Sequence, residues 1–262
     1  SVNEVLVESE LKAALIRLNP EINSNPDLAD QVIHQLIGII NQNGQGLVKA
    51  NEEFFKWMTG EKTMPFGGNN RHVPVRLIDF EDLSNNTYIV TNQFRIHHRE
   101  TKIPDIVMMI NGIPVVVGEA KTPIRPSVSW LDGAHEVHEI YENAVPRLFV
   151  PNILSFATEG KELYYGAIRC PLEFWAPWRL GNDEDAIAKR LGLGEVGKEL
   201  SDLLSPKRLL DILLNFSLFS TDKKKRRIKI IPRFQQYEGA NKIVERVKEG
   251  RVKKGLIWHF QG

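Results

Sequence analysis

Ile103–Thr122 reads IPDIVMMINGIPVVVGEAKT, two apolar runs (Ile106–Ile110 and Ile113–Val117) on either side of Asn111-Gly112. Asn-Gly between β-branched runs predicts a tight hairpin, because both residues tolerate the positive φ that such turns require. Asp105 opens the first run, and Glu119 and Lys121 close the second. Strand side chains alternate between faces, so Glu119 and Lys121 project to one side with Ala120 turned away. A hairpin also returns the end of its second strand to the start of its first, which brings Asp105 to the same place. Two carboxylates and a lysine converging at a sheet edge suit a hard divalent cation and an activated water. The alternative is a solvated strand end with a surface ion pair of little energetic weight.

The chain has 262 residues, one cysteine (Cys170) and a formal net charge of +1. One large domain, or one domain and part of another, fits this length. A single cysteine excludes an internal disulfide and a cysteine metal cluster. No apolar run is long enough to cross a bilayer and the N-terminus lacks a basic-then-apolar leader, so a cytoplasmic protein with no membrane partner is expected. Near-neutral net charge neither demands nor excludes nucleic acid, because a basic groove can coexist with an acidic exterior.

Around the hairpin, apolar spacing predicts helices over Asn3–Leu18, Leu28–Asn41 and Glu52–Met58, then a loop at Gly67–Asn70. Strands are expected at Val73–Asp79 and Tyr88–Ile96. After the hairpin come a helix over Leu131–Asn143 starting near Ser129, and strands at Ile153–Ala157 and Leu163–Ile168. The order around the acidic residues is helix, three strands, helix, strand. Beyond Trp178 a charged, glycine-interrupted stretch over Asn182–Leu204 reads as a helical connector. An apolar helix at Lys207–Phe219, the basic run Lys223–Arg227, a short apolar segment Ile228–Ile231, a helix at Tyr237–Val247 and a strand at Gly255–Phe260 follow.

Other motifs read less sharply. Gly192–Lys198 (GLGEVGK) fits two phosphate-loop patterns, but both need a preceding buried strand, and a Walker loop needs Ser or Thr where Glu199 stands. A surface turn is the expectation. His135-Glu136-Val137-His138-Glu139 misses the second histidine of a zinc helix, leaving His135 and His138 as a solvated or DNA-facing pair. His97 and His98 are adjacent in a strand-like run and point to opposite faces. Lys223–Arg227 is a solvated loop or a phosphate contact, and Trp175 and Trp178 suit packing between domains better than base stacking.

Pro104-Asp105, a spacer and Glu119-Ala120-Lys121 resemble the signature of the PD-(D/E)XK nuclease superfamily, whose core has the αβββαβ order. The chain as a whole resembles the N-terminal part of the R (HsdR) subunit of type I restriction-modification enzymes. The stretches that carry this include Ala50–Phe54, Leu77–Phe80, Asn92-Gln93-Phe94, Pro104–Val107, Asn111–Pro114, Gly118–Thr122, Pro146–Phe149 with Asn152, Pro232–Tyr237 and Trp258–Gly262. The resemblance implies an α/β fold: a restriction-endonuclease-like αβββαβ core with a mixed sheet over 1–180. It further implies a helical connector over 181–227, and over 228–262 the start of a RecA-like superfamily 2 motor. In that family the W-H-x-Q-G strand leads into the motor's Walker A loop, so the sequence ending at Gly262 is expected to stop at the edge of that loop.

The resemblance also implies roles. Asp105, Glu119, the Ala120 carbonyl and a first-helix acid (Glu10, or Glu8) would hold Mg²⁺, while Lys121 would orient or help deprotonate the attacking water. Gln236 occupies the place of the glutamine that reads adenine in the motor, ATP being used only by the full-length enzyme. The family commonly carries Q-x-x-x-Y on the helix after E-x-K. Here Tyr141 is present and Val137 stands four residues before it, flanked by Glu136 and His138. Tyr141 and His138 are the residues of this helix expected to meet DNA. The expected function is Mg²⁺-dependent cleavage of double-stranded DNA by an R subunit working with modification (M) and specificity (S) subunits. The alternatives are a stand-alone repair or junction nuclease, and a non-catalytic domain that docks DNA or partner subunits.

Overall fold

The computed structural model of the chain describes residues 4–42, 46–122, 124, 127–179, 190–251 and 254–256. Four helices open the chain: α1 (Glu8–Leu18), α2 (Pro20–Ser24), α3 (Asp27–Asn41) and α4 (Leu47–Met58). In α3 the buried residues Ala29, Val32, Ile33, Leu36 and Ile40 recur at three and four positions, the stripe that an amphipathic helix turns toward a core. The hairpin of β1 (Thr63–Gly67) and β2 (Arg71–Pro74) follows. The strand expected over Val73–Asp79 is shorter and earlier. The Asn19 side chain binds both backbone groups of Arg76, accepting from its N–H at 2.8 Å and donating to its carbonyl at 2.9 Å, so no neighbouring strand is needed there.

The main sheet is six-stranded and mixed. Its members are β3 (Tyr88–Asn92), β6 (Ile106–Ile110), β7 (Ile113–Ala120), β8 (Leu154–Thr158), β9 (Leu163–Gly166) and β10 (Ala176–Pro177), in the order β10-β9-β8-β7-β6-β3. The small hairpin of β4 (Ile96–His97) and β5 (Thr101–Lys102) is inserted between β3 and β6. The strand expected over Tyr88–Ile96 therefore breaks at Gln93, whose φ of 50° turns the chain out of the sheet. All pairings in the sheet are antiparallel except β7 with β8. A parallel neighbour needs a long crossover, supplied by α5 (Trp130–His135) and its continuation. Ser129 and Asp132 close a capping box at the start of α5. The helix then widens into π-helical turns over Glu136–Tyr141 before its last turn, Glu142–Ala144.

The C-terminal part comprises α6 (Glu195–Leu203), α7 (Pro206–Asp211) with a π-helical extension Ile212–Phe216, the hairpin of β11 (Leu218–Thr221) and β12 (Arg227–Ile230), and α8 (Phe234–Glu249). Residues expected to extend a helix to Phe219 instead enter β11. The connector residues 180–189 and the Trp258–Gly262 stretch lie outside the described residues. Gly192–Lys198 forms the entry to α6, with Gly194 at its N-cap and helical residues, Arg190 and Leu191, directly before it rather than a strand. Lys229 of β12 is buried, and its Nζ donates to the carbonyls of Asn152 (2.6 Å) and Ile153 (2.8 Å) while lying 4.0 Å from the centre of the Phe55 ring. Burial pushes its pKa well below the ordinary lysine value, against the opposing pull of the Glu142 charge. This ties β12 to the start of β8.

The hairpin turn forms as read: Asn111 has φ 51° and Gly112 φ 77°. A Cβ on Gly112 would lie 2.4 Å from the Val7 carbonyl oxygen, and that carbonyl's residue donates its own N–H to Gly112 O at 2.9 Å. The Asn111 amide, fully buried, donates to Leu77 O (2.8 Å) and Asn86 Oδ1 (2.9 Å) and accepts from Thr87 N (2.8 Å). One strand over, Gly118 is required by packing: a Cβ there would fall 2.2 Å from a ring carbon of Phe156, which is itself buried. Gly118→Ala should therefore destabilise the chain by about 2 kcal/mol, the usual cost of overpacking a filled core. Equilibrium urea unfolding checks this; a change under ~0.5 kcal/mol would mean that β7 and β8 can move apart freely.

Candidate active site

The hairpin and the crossover helix bring four acidic and basic side chains to one end of β6 and β7. Asp105 precedes β6, and its backbone N–H points at Glu119 Oε2 (3.4 Å) while its Oδ2 accepts from Ala120 N–H (3.0 Å). Lys121 donates to Glu119 Oε1 at 2.7 Å and also ion-pairs with Glu136 of the crossover helix. Tyr141 donates to Glu136 Oε1 (2.8 Å) and approaches Glu119 Oε2 (3.3 Å). Asp105, Glu119, Ala120, Lys121 and Tyr141 are thus brought together, with Glu136 added.

Glu119 is 3% exposed. Its aliphatic part faces Gly133 of α5, where a Cβ would come within 3.4 Å of Glu119 Cγ. Burial, reinforced by the neighbouring charges of Asp105 and Glu136, pushes its pKa up to about 7 against the pull of Lys121. Burial opposes the charge on Lys121, but hydrogen bonds to Glu119 and Glu136 outweigh it and hold the pKa above the ordinary value. Lys121 is an ammonium in this arrangement, suited to orienting a water or a phosphate oxygen rather than to removing a proton. Burial likewise works against the charge on Glu136, yet its bonds from Lys121 and Tyr141 leave its pKa lowered. Burial first, then the Glu136 hydrogen bond, raises that of Tyr141.

Glu136 is the residue that reading at helical spacing passes over. A regular helix would place position 137 beside Tyr141. The π-helical turns shift the partner by one residue, so Glu136 meets Tyr141 while Val137 is buried in the core. His138 pairs with its neighbour Glu139 at 2.8 Å instead of entering the cluster. Glu10 does not belong to the cluster. Its Cβ lies beside Gly112 at the turn of the hairpin, roughly 20 Å along β7 from Glu119 at ~3.3 Å per residue, because the entry to α1 docks on the turn. Glu8, at the first position of the same helix, shares this end. Gln236 accepts from Arg233 N–H at 2.9 Å, closing the start of α8, and lines a cavity of about 510 Å³ with Tyr165, Cys170 and Ile231.

The donor set fits a hard divalent cation. Two carboxylates share one ammonium and Asp105 stands beside them, leaving negative charge in excess around a buried Glu119. Among the described residues no three His, Cys, Asp or Glu side chains form a closed cage, and Mg²⁺ characteristically takes one or two carboxylates, waters and a substrate phosphate.

The raised pKa of Glu119 sets a pH dependence. The fold disfavours its ionised form, so this group penalises the folded state above pH 7, and the penalty fades as pH falls from 7 toward 4.5. In metal-free buffer at pH 8, Glu119→Gln should stabilise the chain by about 3 kcal/mol at 1.36 kcal/mol per pH unit, raising Tm by roughly 5–10 °C. The advantage should shrink toward pH 5. Thermal melts at both pH values test this, and a destabilised variant at pH 8 would contradict it.

The family described as the type I restriction enzyme R protein N terminus matches residues 1–173. The HindI type I restriction enzyme endonuclease subunit of Haemophilus influenzae is 29% identical over 268 residues, covering 98% of this chain and 25% of that protein. Two putative type I restriction enzyme endonuclease subunits of Methanocaldococcus jannaschii, MjaVIIIP and MjaVIIP, are 30% and 32% identical, covering 72% and 71% of this chain and 18% of each protein. The chain thus spans a quarter or less of the length of these curated relatives. It belongs to the family of type I restriction enzyme R protein N termini.

Proposed function

We propose that this chain is the DNA-cleaving module of a type I restriction endonuclease R subunit, and that it hydrolyses phosphodiesters with Mg²⁺. The observation that carries the reading is the convergence of Asp105, Glu119 and Lys121 at one end of the β6–β7 hairpin. We read 1–180 as a PD-(D/E)XK nuclease domain, 181–227 as a connector, and 228–262 as the start of a RecA-like motor. In the full-length, cytoplasmic enzyme Gln236 would read adenine, ATP would drive translocation, and M and S subunits would deliver the DNA.

Asp105, Glu119 and the Ala120 carbonyl would hold the cation. Bound there, Mg²⁺ lowers the pKa of a coordinated water and neutralises charge developing on the phosphate. The Ala120 N–H holds Asp105 Oδ2 in place, which leaves Oδ1 to serve as a ligand. Glu119 must give up a proton at neutral pH to serve, which links its ionisation to occupancy. Lys121, kept protonated by Glu119 and Glu136, orients the nucleophile and counters charge on the scissile phosphate. Tyr141 braces Glu136 and stays a phenol, a hydrogen-bond donor rather than a base.

Asp105→Ala or Lys121→Ala, placed in the complete R subunit with its partners, should lower plasmid cleavage by at least ~100-fold, the loss typical when a charge-stabilising group is removed. ATP hydrolysis by the same preparations should stay within about twofold, because the cluster does not touch the Gln236 cavity. Retained cleavage would overturn the nuclease assignment. A second expectation concerns Glu136. Glu136→Gln keeps hydrogen bonding to Lys121 and Tyr141 but removes a charge, so cleavage should fall less than in Glu136→Ala; equal losses would mean that the negative charge itself is needed.

A further inference from the structure

Where β3 hands over to β6, the sheet needs only a short turn, because Gln93 N–H already bonds to Asp105 O (2.9 Å) and Phe94 N–H to Pro104 O (3.0 Å). The chain instead spends the residues between them on the β4–β5 finger, whose root therefore includes the backbone of Asp105 itself. Ile96, 1% exposed, packs into the core and fixes the finger. Strand alternation then turns the residues on either side of Ile96, Arg95 and His97, outward, and both are exposed, as is Arg99 at the tip. Lys102 is paired with Glu100 at 2.8 Å. Among the described residues Arg95 and Arg99 have no hydrogen-bond or ion-pair partner, which leaves the outer face of the finger basic beside an acidic cluster.

We infer that the β4–β5 finger is a phosphate-gripping element that holds duplex DNA across the Asp105–Glu119 cluster, with Arg95 and Arg99 on the backbone. The inference rests on the nuclease reading. A cluster of three carboxylates repels a polyanion until a cation fills it, so cationic groups beside it are needed to hold the substrate in place. Arg95, next to the anchored Ile96 of β4, and Arg99 in the bend that joins β4 to β5 suit this, since a guanidinium forks onto phosphate oxygens. The half-buried His98 reports the same local potential: its pKa is lowered by burial and then by Arg147, Arg99 and His97. Phosphate contacts carry no sequence information, so the finger would grip duplex DNA of any sequence.

A second basic segment provides the control. Lys223, Lys224 and Lys225 are exposed at the β11–β12 turn, and β12 is tied through Lys229 to the start of β8, whereas Glu119 pairs with Ala157 near its end. The test is binding of a fluorescein-labelled 24-base-pair duplex to the 262-residue chain in EDTA, followed by anisotropy over a range of salt concentrations, with circular dichroism to confirm folding. Arg95→Gln/Arg99→Gln should flatten the slope of log K against log salt by about 1.8, the equivalent of two phosphate contacts, and weaken binding on the order of tenfold at 100 mM salt. Lys223→Gln/Lys224→Gln/Lys225→Gln should leave the slope within about 0.3 of the parent. An unchanged slope in the arginine variant, or an equal fall in both variants, overturns the finger while leaving the nuclease reading intact. A parent chain that binds no duplex also overturns the finger, while the nuclease reading stands or falls on the cleavage assay with Asp105→Ala and Lys121→Ala.

Discussion

Everything at the working end of this molecule follows from one electrostatic imbalance: Glu119 and Glu136 share a single ammonium, Lys121, and Asp105 adds a further negative charge beside Glu119. Glu119 is buried under α5, with Gly133 leaving just enough room for its side chain. Water cannot screen it there, and one lysine shared with Glu136 does not neutralise it, so its pKa climbs to about 7. Folding such a cluster without a ligand is costly. The cost is a reason to regard the site as built for a cation, since a purely structural hairpin end gains nothing from a buried carboxylate.

The rest of the fold holds those groups in register. A one-residue slip between β6 and β7 would put Glu119 on the opposite face. The slip is prevented at the turn by the positive φ values of Asn111 and Gly112 and by the Asn111 amide bonded to Leu77 and to Asn86-Thr87. Gly118 and Phe156 lock β7 to β8, and β8 is gripped from below by Lys229. The C-terminal hairpin thus reaches the strand next to Glu119 through backbone carbonyls, a physical connection between the C-terminal part and the main sheet.

What could be read from sequence was what depends on neighbours a few residues apart. The Asn-Gly turn, the shared side of Glu119 and Lys121 and the Ser129 start of the crossover helix all obey local rules, and so does the return of Asp105 to the end of β7, whereas the mixed sheet was implied by the family resemblance. The misses have a common cause. The π-helical turns that replace Val137 by Glu136 arise where the crossover helix meets the sheet, and helical spacing alone cannot show a change of pitch. Gln93 leaves β3 early because of a positive φ in a residue that is not glycine. Glu10 lies at the wrong end of the hairpin because α1 docks on the turn, a tertiary contact with no sequence period. The strand expected over Val73–Asp79 was displaced by a single side chain, Asn19.

The central claim is that the carboxylates around Glu119 form a cation site whose occupancy is linked to the ionisation of that residue. Calorimetric titration of Mg²⁺ or Mn²⁺ into the 262-residue chain at pH 6 and pH 8, in buffers of differing ionisation enthalpy, tests it most directly. The account predicts tighter binding at pH 8, proton release at pH 6 approaching one per cation, and loss of both in Glu119→Gln. Binding of equal strength and proton balance in parent and variant would contradict it.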